Sequence, residues 1–438
     1  MKIAVIGAGP AGILLVAEAY LQCKKNNQND TIIYWYDKEH FLSGMMDKYQ
    51  VPSNTKMDYL DQGLGFFTES PIGPLAKLFP EIQQSIEAIR ANSIPTPKII
   101  ETFDPSETGW PQIKDMRDHF VLISNILKST NIVKFRNSEV KQCIRSKTNN
   151  LWTIRYHNED DNHRSDENVH CINFCCGAKP ATFLNNKINE FTNNTANIIS
   201  MEDALSFEKV KNIVNKTDRI AILGNSHSSA LAIKNFIEAS NVDRENIFVY
   251  RLFPLKYAKW HDQGSYMNNS TGIKGIATAF AIKDRQLSAK QSIFNREEHS
   301  DKFWQLLKQK PTDFDHIVPL VGFEINKLPE IIINDNETIN NKDLIFKAKT
   351  AELFYKGTSI GFEMGASRPE YYTDHPKFKY PIIALRGGEE TKRKGWSGEY
   401  PVGWALFRLR AIQIVKAILG NDNIMNDMHK EASTIAKL

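Results

Sequence analysis

Met1-Lys2-Ile3-Ala4-Val5-Ile6-Gly7-Ala8-Gly9-Pro10-Ala11-Gly12 decides the fold of this 438-residue chain. The apolar run Ile3–Ile6 predicts a buried strand. The glycines that follow predict a tight turn, and Ile13–Leu21 predicts an apolar helix. In that strand–turn–helix setting Gly-x-Gly-x-x-Gly has a mechanical meaning. Gly7 makes the turn, Gly9 lets the backbone approach a pyrophosphate, and Gly12 lets the helix pack close to the strand. Pro10 and Ala11, inside the motif, are expected at the cofactor with the glycines. The helix start offers N–H groups and a positive dipole end to phosphates. A second strand over Thr31–Tyr36 ends at Asp37-Lys38. An acid in that position accepts hydrogen bonds from the adenosine ribose. The usual spacing to it is about 20 residues; the polar loop Lys24–Asp30 lengthens it here.

A second stretch repeats the layout: Arg219-Ile-Ala-Ile-Leu-Gly224-Asn225-Ser226-His227-Ser228-Ser229-Ala230. Ser226 and Ser229 take the places of the second and third glycines. Serine hydroxyls at a helix start can still donate to phosphate. His227 reads as a turn or packing histidine, with no other histidine at metal spacing beside it. The next strand, Asn246–Tyr250, ends in Arg251 instead of an acid. An arginine there suits the 2′-phosphate of NADP, so the expected second nucleotide is NADPH. The plain alternative for Arg251, and for Lys256 and Lys259 near it, is a solvated surface.

The form Gly-x-Gly-Pro-Ala-Gly, then strand and Asp37, resembles the FAD-binding half of two-dinucleotide-domain flavoproteins. These include flavin monooxygenases, ferredoxin–NADP reductases and disulfide reductases. Phe41–Met46 stands where these families carry a glycine segment against the flavin, which would make Gly44 and Met45 cofactor contacts. The stretch Gly44–Pro52 resembles that of adrenodoxin-type ferredoxin reductases. Ile132–Val140 and Leu151–Tyr156 resemble the strands that precede the return to the FAD sheet. His170–Pro180 resembles the strand-then-Gly element that closes the first FAD segment, with Gly177 at the cofactor. Ile317–Glu324 resembles the strand that leads back to FAD. The resemblance implies an α/β fold: a Rossmann-like FAD domain (1–215 and 326–438) with an inserted Rossmann-like NAD(P) domain (216–325).

Composition fits such an enzyme. The chain is 41% hydrophobic with a net charge of +4, which argues against bulk nucleic-acid binding. No run approaches the roughly 20 apolar residues a membrane span needs. The first strand begins at Lys2, which leaves no room for a leader before it. Cys23, Cys143, Cys171, Cys175 and Cys176 suggest a reducing compartment, hence the cytoplasm. Cys171-x-x-x-Cys175-Cys176 lacks a second zinc-like pair and alternates as a buried strand does, so no metal is expected. Without Cys-x-x-Cys or Cys-x4-Cys, the disulfide reductases are set aside. Residues 60–120, rich in proline and glycine, read as a loop-rich insertion that caps the flavin or decorates the surface. Tyr380–Leu385 and Pro401–Leu419 read as a strand and a final helix. In the flavoprotein fold that helix would point its N-terminus at the flavin. Gly403-Trp404 with Arg408 is similar to a segment of the adrenodoxin-type reductases.

FAD with NADPH implies hydride transfer from nicotinamide to flavin. Three outcomes follow. A flavin monooxygenase would pass oxygen to a small-molecule substrate. A reductase would pass electrons to a redox protein or small acceptor, for which Lys392-Arg393-Lys394 is a candidate docking patch. A sensor would keep FAD without turnover. The monooxygenase fingerprint Phe-x-Gly-x-x-x-His has no match in Asn197–Asp203. No catalytic acid or base is named; His261 and Asp262 are candidates for contact with nicotinamide or substrate. Neither the substrate nor the oligomeric state is legible.

Overall fold

The computed structural model describes residues 1–38, 46, 48–53, 57, 72–98, 109–158, 163–251, 254–255, 257, 259–260, 267–268, 273–334, 336–340, 343–347, 351–364 and 404–419. The chain opens with β1 (Lys2–Ile6), α1 (Pro10–Lys25) and β2 (Ile32–Asp37). The helices α2 (Ile72–Leu78), α3 (Pro80–Ala91) and α4 (Ile113–Lys128) follow. Next come β3 (Val133–Arg145), β4 (Trp152–Asn158), β5 (His163–Val169) and β6 (Cys171–Phe174). β7 (Ala178–Pro180) leads out to α5 (Asn185–Thr192), β8 (Asn197–Ile198), α6 (Met201–Ala204) and α7 (Phe207–Ile213). The second glycine turn sits in β9 (Ile220–Leu223), α8 (His227–Ser240) and β10 (Ile247–Arg251). A short ribbon, β11 (Lys259–Trp260) and β12 (Met267–Asn268), precedes α9 (Gly275–Arg285), β13 (Glu298–His299), α10 (Ser300–Gln309) and β14 (His316–Pro319). β15 (Phe323–Ile325) returns the chain. β16 (Glu330–Ile333), β17 (Glu337–Ile339), β18 (Ile345–Lys347), β19 (Glu352–Tyr355), β20 (Thr358–Glu363) and α11 (Trp404–Leu419) complete it.

Two sheets organise these elements. The larger runs β17-β16-β3-β2-β1-β6-β20-β19-β18, with β4 beside β3 and β5 beside β4. Its centre, β3-β2-β1-β6-β20, is parallel. β1 is buried at four of its five positions, as expected of a parallel strand covered on both faces. α1 is buried almost all round from Ala11 to Tyr20, because it lies between the sheet and both α4 and α11. The antiparallel edge strand β5 instead turns most of its side chains to solvent. The smaller sheet, β13-β10-β9-β14-β8, is parallel throughout. It is inserted between β6 and β16 of the larger sheet, and it takes in β8, upstream of the second glycine turn.

The two crossings between the units run side by side. β7 pairs antiparallel with β15. Asn326 ties the return strand back: its N–H donates to the Gly177 carbonyl at 3.1 Å and its Nδ2 to the Cys176 carbonyl at 2.7 Å.

Residues 60–120 hold more helix than their prolines suggest. Pro80 opens α3 instead of breaking it, since the first helical N–H has no intrahelical partner to lose. Ile82, Ile86 and Ile89 then form its buried stripe. Further on, Trp110 reaches across to the inserted unit, where Gly275 and Ala279 of α9 receive it. Residues 49–51 also pack there: Tyr49 and Val51 join the core around α8 and β9, and the Gln50 N–H donates to the Leu205 carbonyl at 3.1 Å. The last strand of the sequence reading (380–385), Gly403 and Lys392–Lys394 lie outside the described residues.

Candidate functional site

Both glycine turns sit at the carboxyl ends of parallel strands, beside the point where strand order reverses. Ligands of open α/β sheets bind in that crevice. At the first turn the Gly7 N–H donates to the Tyr36 carbonyl at 2.8 Å, and Trp35 Nε1 donates to the Gly7 carbonyl at 3.1 Å. Gly7 has φ +109°, and a Cβ on it would meet the Cys175 carbonyl oxygen at 2.2 Å. A Cβ on Gly12 would lie 2.0 Å from the Gly7 carbonyl oxygen, so the close packing of helix on strand requires glycine there. Gly9 differs: its φ of −70° is open to any residue, and a Cβ would meet nothing within 4 Å. What it keeps clear is the space outside the helix start. Gly9 gives α1 no side-chain cap, Pro10 takes the first turn, and Ala8 and Ala11 are buried beneath. Asp37 closes the turn, with its Oδ2 accepting from the Ala8 N–H at 2.6 Å. Lys38 beyond it is exposed. A clear space over helix N–H groups, with a carboxylate at its side, fits an adenine dinucleotide.

The second turn repeats the backbone bond and the close approach of the first. The Gly224 N–H donates to the Tyr250 carbonyl at 2.8 Å, and Gly224 has φ +113°. A Cβ on it would lie 2.4 Å from the Leu320 carbonyl oxygen, as Gly7 meets Cys175. Ser226 caps α8 in backbone position only and is exposed, and Ser228 is half-buried. Ser229 is fully buried, with its Oγ 3.5 Å from where a Gly224 Cβ would stand. Its part is packing between helix and turn. His227, first residue of α8, is pushed down to about 4 by burial, to which the charge of Lys274 adds. It is neutral at neutral pH.

Around Arg251 the structure gathers residues that lie far apart in sequence. Glu297 Oε1 lies 3.3 Å from Arg251 Nε and 3.6 Å from Arg285 Nη2. Its Oε2 accepts from Asn225 Nδ2 at 3.1 Å. The Arg285 guanidinium lies over the Tyr257 ring at 5.6 Å. Behind the cluster, fully buried Asp284 orders the loop that delivers Glu297. It pairs with Arg244 and accepts from Ser292 Oγ at 3.0 Å and from the Phe294 N–H at 2.9 Å. The sequence reading found Arg251 and Asn225 but missed Arg285 and Glu297. Arg285 ends a helix and Glu297 precedes an edge strand, and no local pattern links either to the turn.

Gly177 has φ +66°, and a Cβ on it would meet nothing within 4 Å. Cys23, Cys143, Cys171 and Cys175 are free thiols. Burial pushes Cys171 up to about 12 and raises Cys143 and Cys175 further. Gly44, Met45, Lys256, His261 and Asp262, and the side chain of Lys259, lie outside the described residues. No helix among the described residues is long and apolar enough to cross a membrane.

Two Rossmann-type units, the second inserted into the first and each with a central strand that ends at a glycine turn, define the two-dinucleotide-domain fold. Solved structures share it. The reduced form of the ornithine hydroxylase PvdA from Pseudomonas aeruginosa aligns with a TM-score of 0.52 at 10% identity, over 96% of this chain and 98% of that one. The ornithine N-hydroxylase KtzI of Kutzneria sp. 744, with reduced FAD, NADP+ and L-ornithine, aligns with a TM-score of 0.54 at 10% identity, over 96% and 99%. An oxidised steroid monooxygenase bound to NADP aligns with a TM-score of 0.50 at 12% identity, over 95% and 85%. No family model and no curated protein matches the sequence.

Proposed function

We propose that this chain is an FAD-dependent NADPH oxidoreductase of the flavin monooxygenase type, acting on a small-molecule substrate. The carrying observation is the pairing of two glycine turns of the same strand–turn–helix build with opposite charges beside them: Asp37 at the first and Arg251 with Arg285 at the second. FAD would lie on Gly7–Gly12 with its ribose at Asp37, and NADPH on Gly224–Ser229 with its 2′-phosphate at Arg251. When bound, the pair of cofactors supplies hydride transfer from nicotinamide to flavin and onward delivery of the electrons. The chain's own residues orient both dinucleotides and keep His227 neutral beside the second pyrophosphate position. The proposed NAD(P) unit runs from β8 through β14, so it begins ahead of the sequence boundary at 216, and the chain on either side of it forms the FAD unit. The free thiols of Cys23, Cys143, Cys171 and Cys175 support a cytoplasmic location. The similar structures include both ornithine and steroid enzymes, so the proposed substrate is kept at the level of a small molecule.

A second reading, an NADPH-dependent reductase serving a redox protein or small acceptor, is favoured by Asn197–Asp203, which lacks the His and Gly of the monooxygenase fingerprint. The deciding experiment is anaerobic addition of NADPH to the purified yellow protein, followed by oxygen. Bleaching of the flavin band supports the oxidoreductase. On re-aeration, oxygenated product marks the monooxygenase, and recovery of the band only with an added acceptor marks the reductase. A yellow protein that NADPH cannot bleach overturns both readings and leaves FAD as a sensing ligand.

A further inference from the structure

The two turns differ in where their acid comes from. In the first unit the carboxylate is local: Asp37, at the end of β2, accepts from the Ala8 N–H. In the second, Asn225 stands where Ala8 stands and Arg251 where Asp37 stands. The carboxylate arrives through space instead, from Glu297 ahead of the edge strand β13, and Asn225 Nδ2 donates to it at 3.1 Å. Its side chain is 11% exposed and lies against two guanidinium groups. Arg251 Nε stands 3.3 Å from Glu297 Oε1, and both arginine side chains stay partly exposed. The cluster therefore carries two positive charges and one negative charge. Partly exposed guanidiniums with a net positive charge suit a further anion.

We infer that Glu297 is a specificity-determining residue of the second nucleotide site, and that it holds the preference for NADPH over NADH below the level Arg251 and Arg285 alone would set. The inference rests on the reading that a pyridine nucleotide occupies the Gly224–Ser229 turn. One carboxylate shared by two guanidiniums offsets half of their charge, so a 2′-phosphate meets a weaker field. The same carboxylate is an acceptor for the free 2′-hydroxyl of NADH, as acids at this turn are in NAD sites. Glu297 thus works in opposite directions on the two nucleotides. A residue that only propped up the arginines would, when altered, weaken NADPH alone.

The test compares the holoenzyme with Glu297→Gln, which keeps the side chain's size and an acceptor oxygen but removes its charge. Calorimetry with 2′,5′-ADP and 5′-AMP reads binding of the adenosine half directly. Stopped-flow flavin reduction with NADPH and NADH reads the consequence. The variant should bind 2′,5′-ADP more tightly and 5′-AMP no better, raising the ratio of affinities by about tenfold. The NADPH/NADH ratio of kcat/KM should rise with it. An unchanged or lowered ratio overturns the inference. Arg285→Met serves as the second variant, decisive if Glu297→Gln folds poorly. It should weaken 2′,5′-ADP by about tenfold and spare 5′-AMP; equal effects on both, or none, overturn the inference. If the unaltered protein binds neither compound and neither nucleotide bleaches the flavin, the nucleotide reading of the turn fails, and this inference with it. Binding in the unaltered protein with an unmoved ratio in either variant fails the inference alone.

Discussion

At the scale of single residues, the three glycines of the first turn do different work. Gly7 and Gly12 are required by the chain's own packing, since a Cβ on either would sit inside a carbonyl contact. Among the described residues, nothing requires Gly9. Gly9→Val should therefore leave the fold intact, with stability within about 1 kcal/mol of the parent. Bound flavin should be lost, because the branched side chain fills the clear space over the helix start. Absorbance near the flavin band and a thermal melt check the two halves of this expectation, and a variant that stays yellow refutes the FAD assignment. At the second turn the division shifts: Gly224 keeps the packing role, while Ser229, fully buried, stands where Gly12 would and fills the helix–strand contact.

Among elements, the α3–α4 pair carries the clearest pH response. His119 of α4 is fully buried; its Nδ1 lies 3.0 Å from Ser85 Oγ on α3. Burial pushes its pKa down from 6.5 to about 4. The folded state thus binds fewer protons than the unfolded chain between these values, so stability is full above pH 6.5 and is lost as pH falls toward 4. At pH 5 this one group should cost about 2 kcal/mol relative to pH 7. Denaturant midpoints at the two pH values measure it, and His119→Gln should flatten the difference by about that amount. An equal pH slope in the variant would assign the loss to other groups. Proline content misread this region, because a proline breaks a helix in its interior and starts one at its first position.

For the whole molecule, the question is what makes two units act as one. The paired crossings β7 and β15 provide one tie, and Trp110 provides another. Trp110 is fully buried against Gly275, whose φ of +59° and missing Cβ let the indole lie flat on α9. Trp110→Ala should cost about 3–5 kcal/mol, as large aromatic truncations do. Because the lost contact lies between units, the calorimetric melt should also broaden or split into two transitions. A sharp single transition at a lowered midpoint would place the tie elsewhere, in the β7–β15 pairing.

The sequence by itself determined the features whose cause is local. A buried strand, a turn that only glycine can make, and a helix that follows at once lie within a dozen residues, so steric rules read them directly. Both strand–turn–helix elements, and Asp37 and Arg251 at the ends of the strands beside them, were legible for that reason. The tertiary structure alone decided what depends on separate segments meeting. Arg285 and Glu297 reach Arg251 only once α9 and β13 pack beside β10, and Asp284 orders the loop between them only when Arg244 meets it. Likewise β8 joined the inserted sheet by pairing with β14, far along the chain. Charges, hydrogen bonds and packing act through space over a few ångströms, and separation along the sequence does not record which residues folding will bring that close.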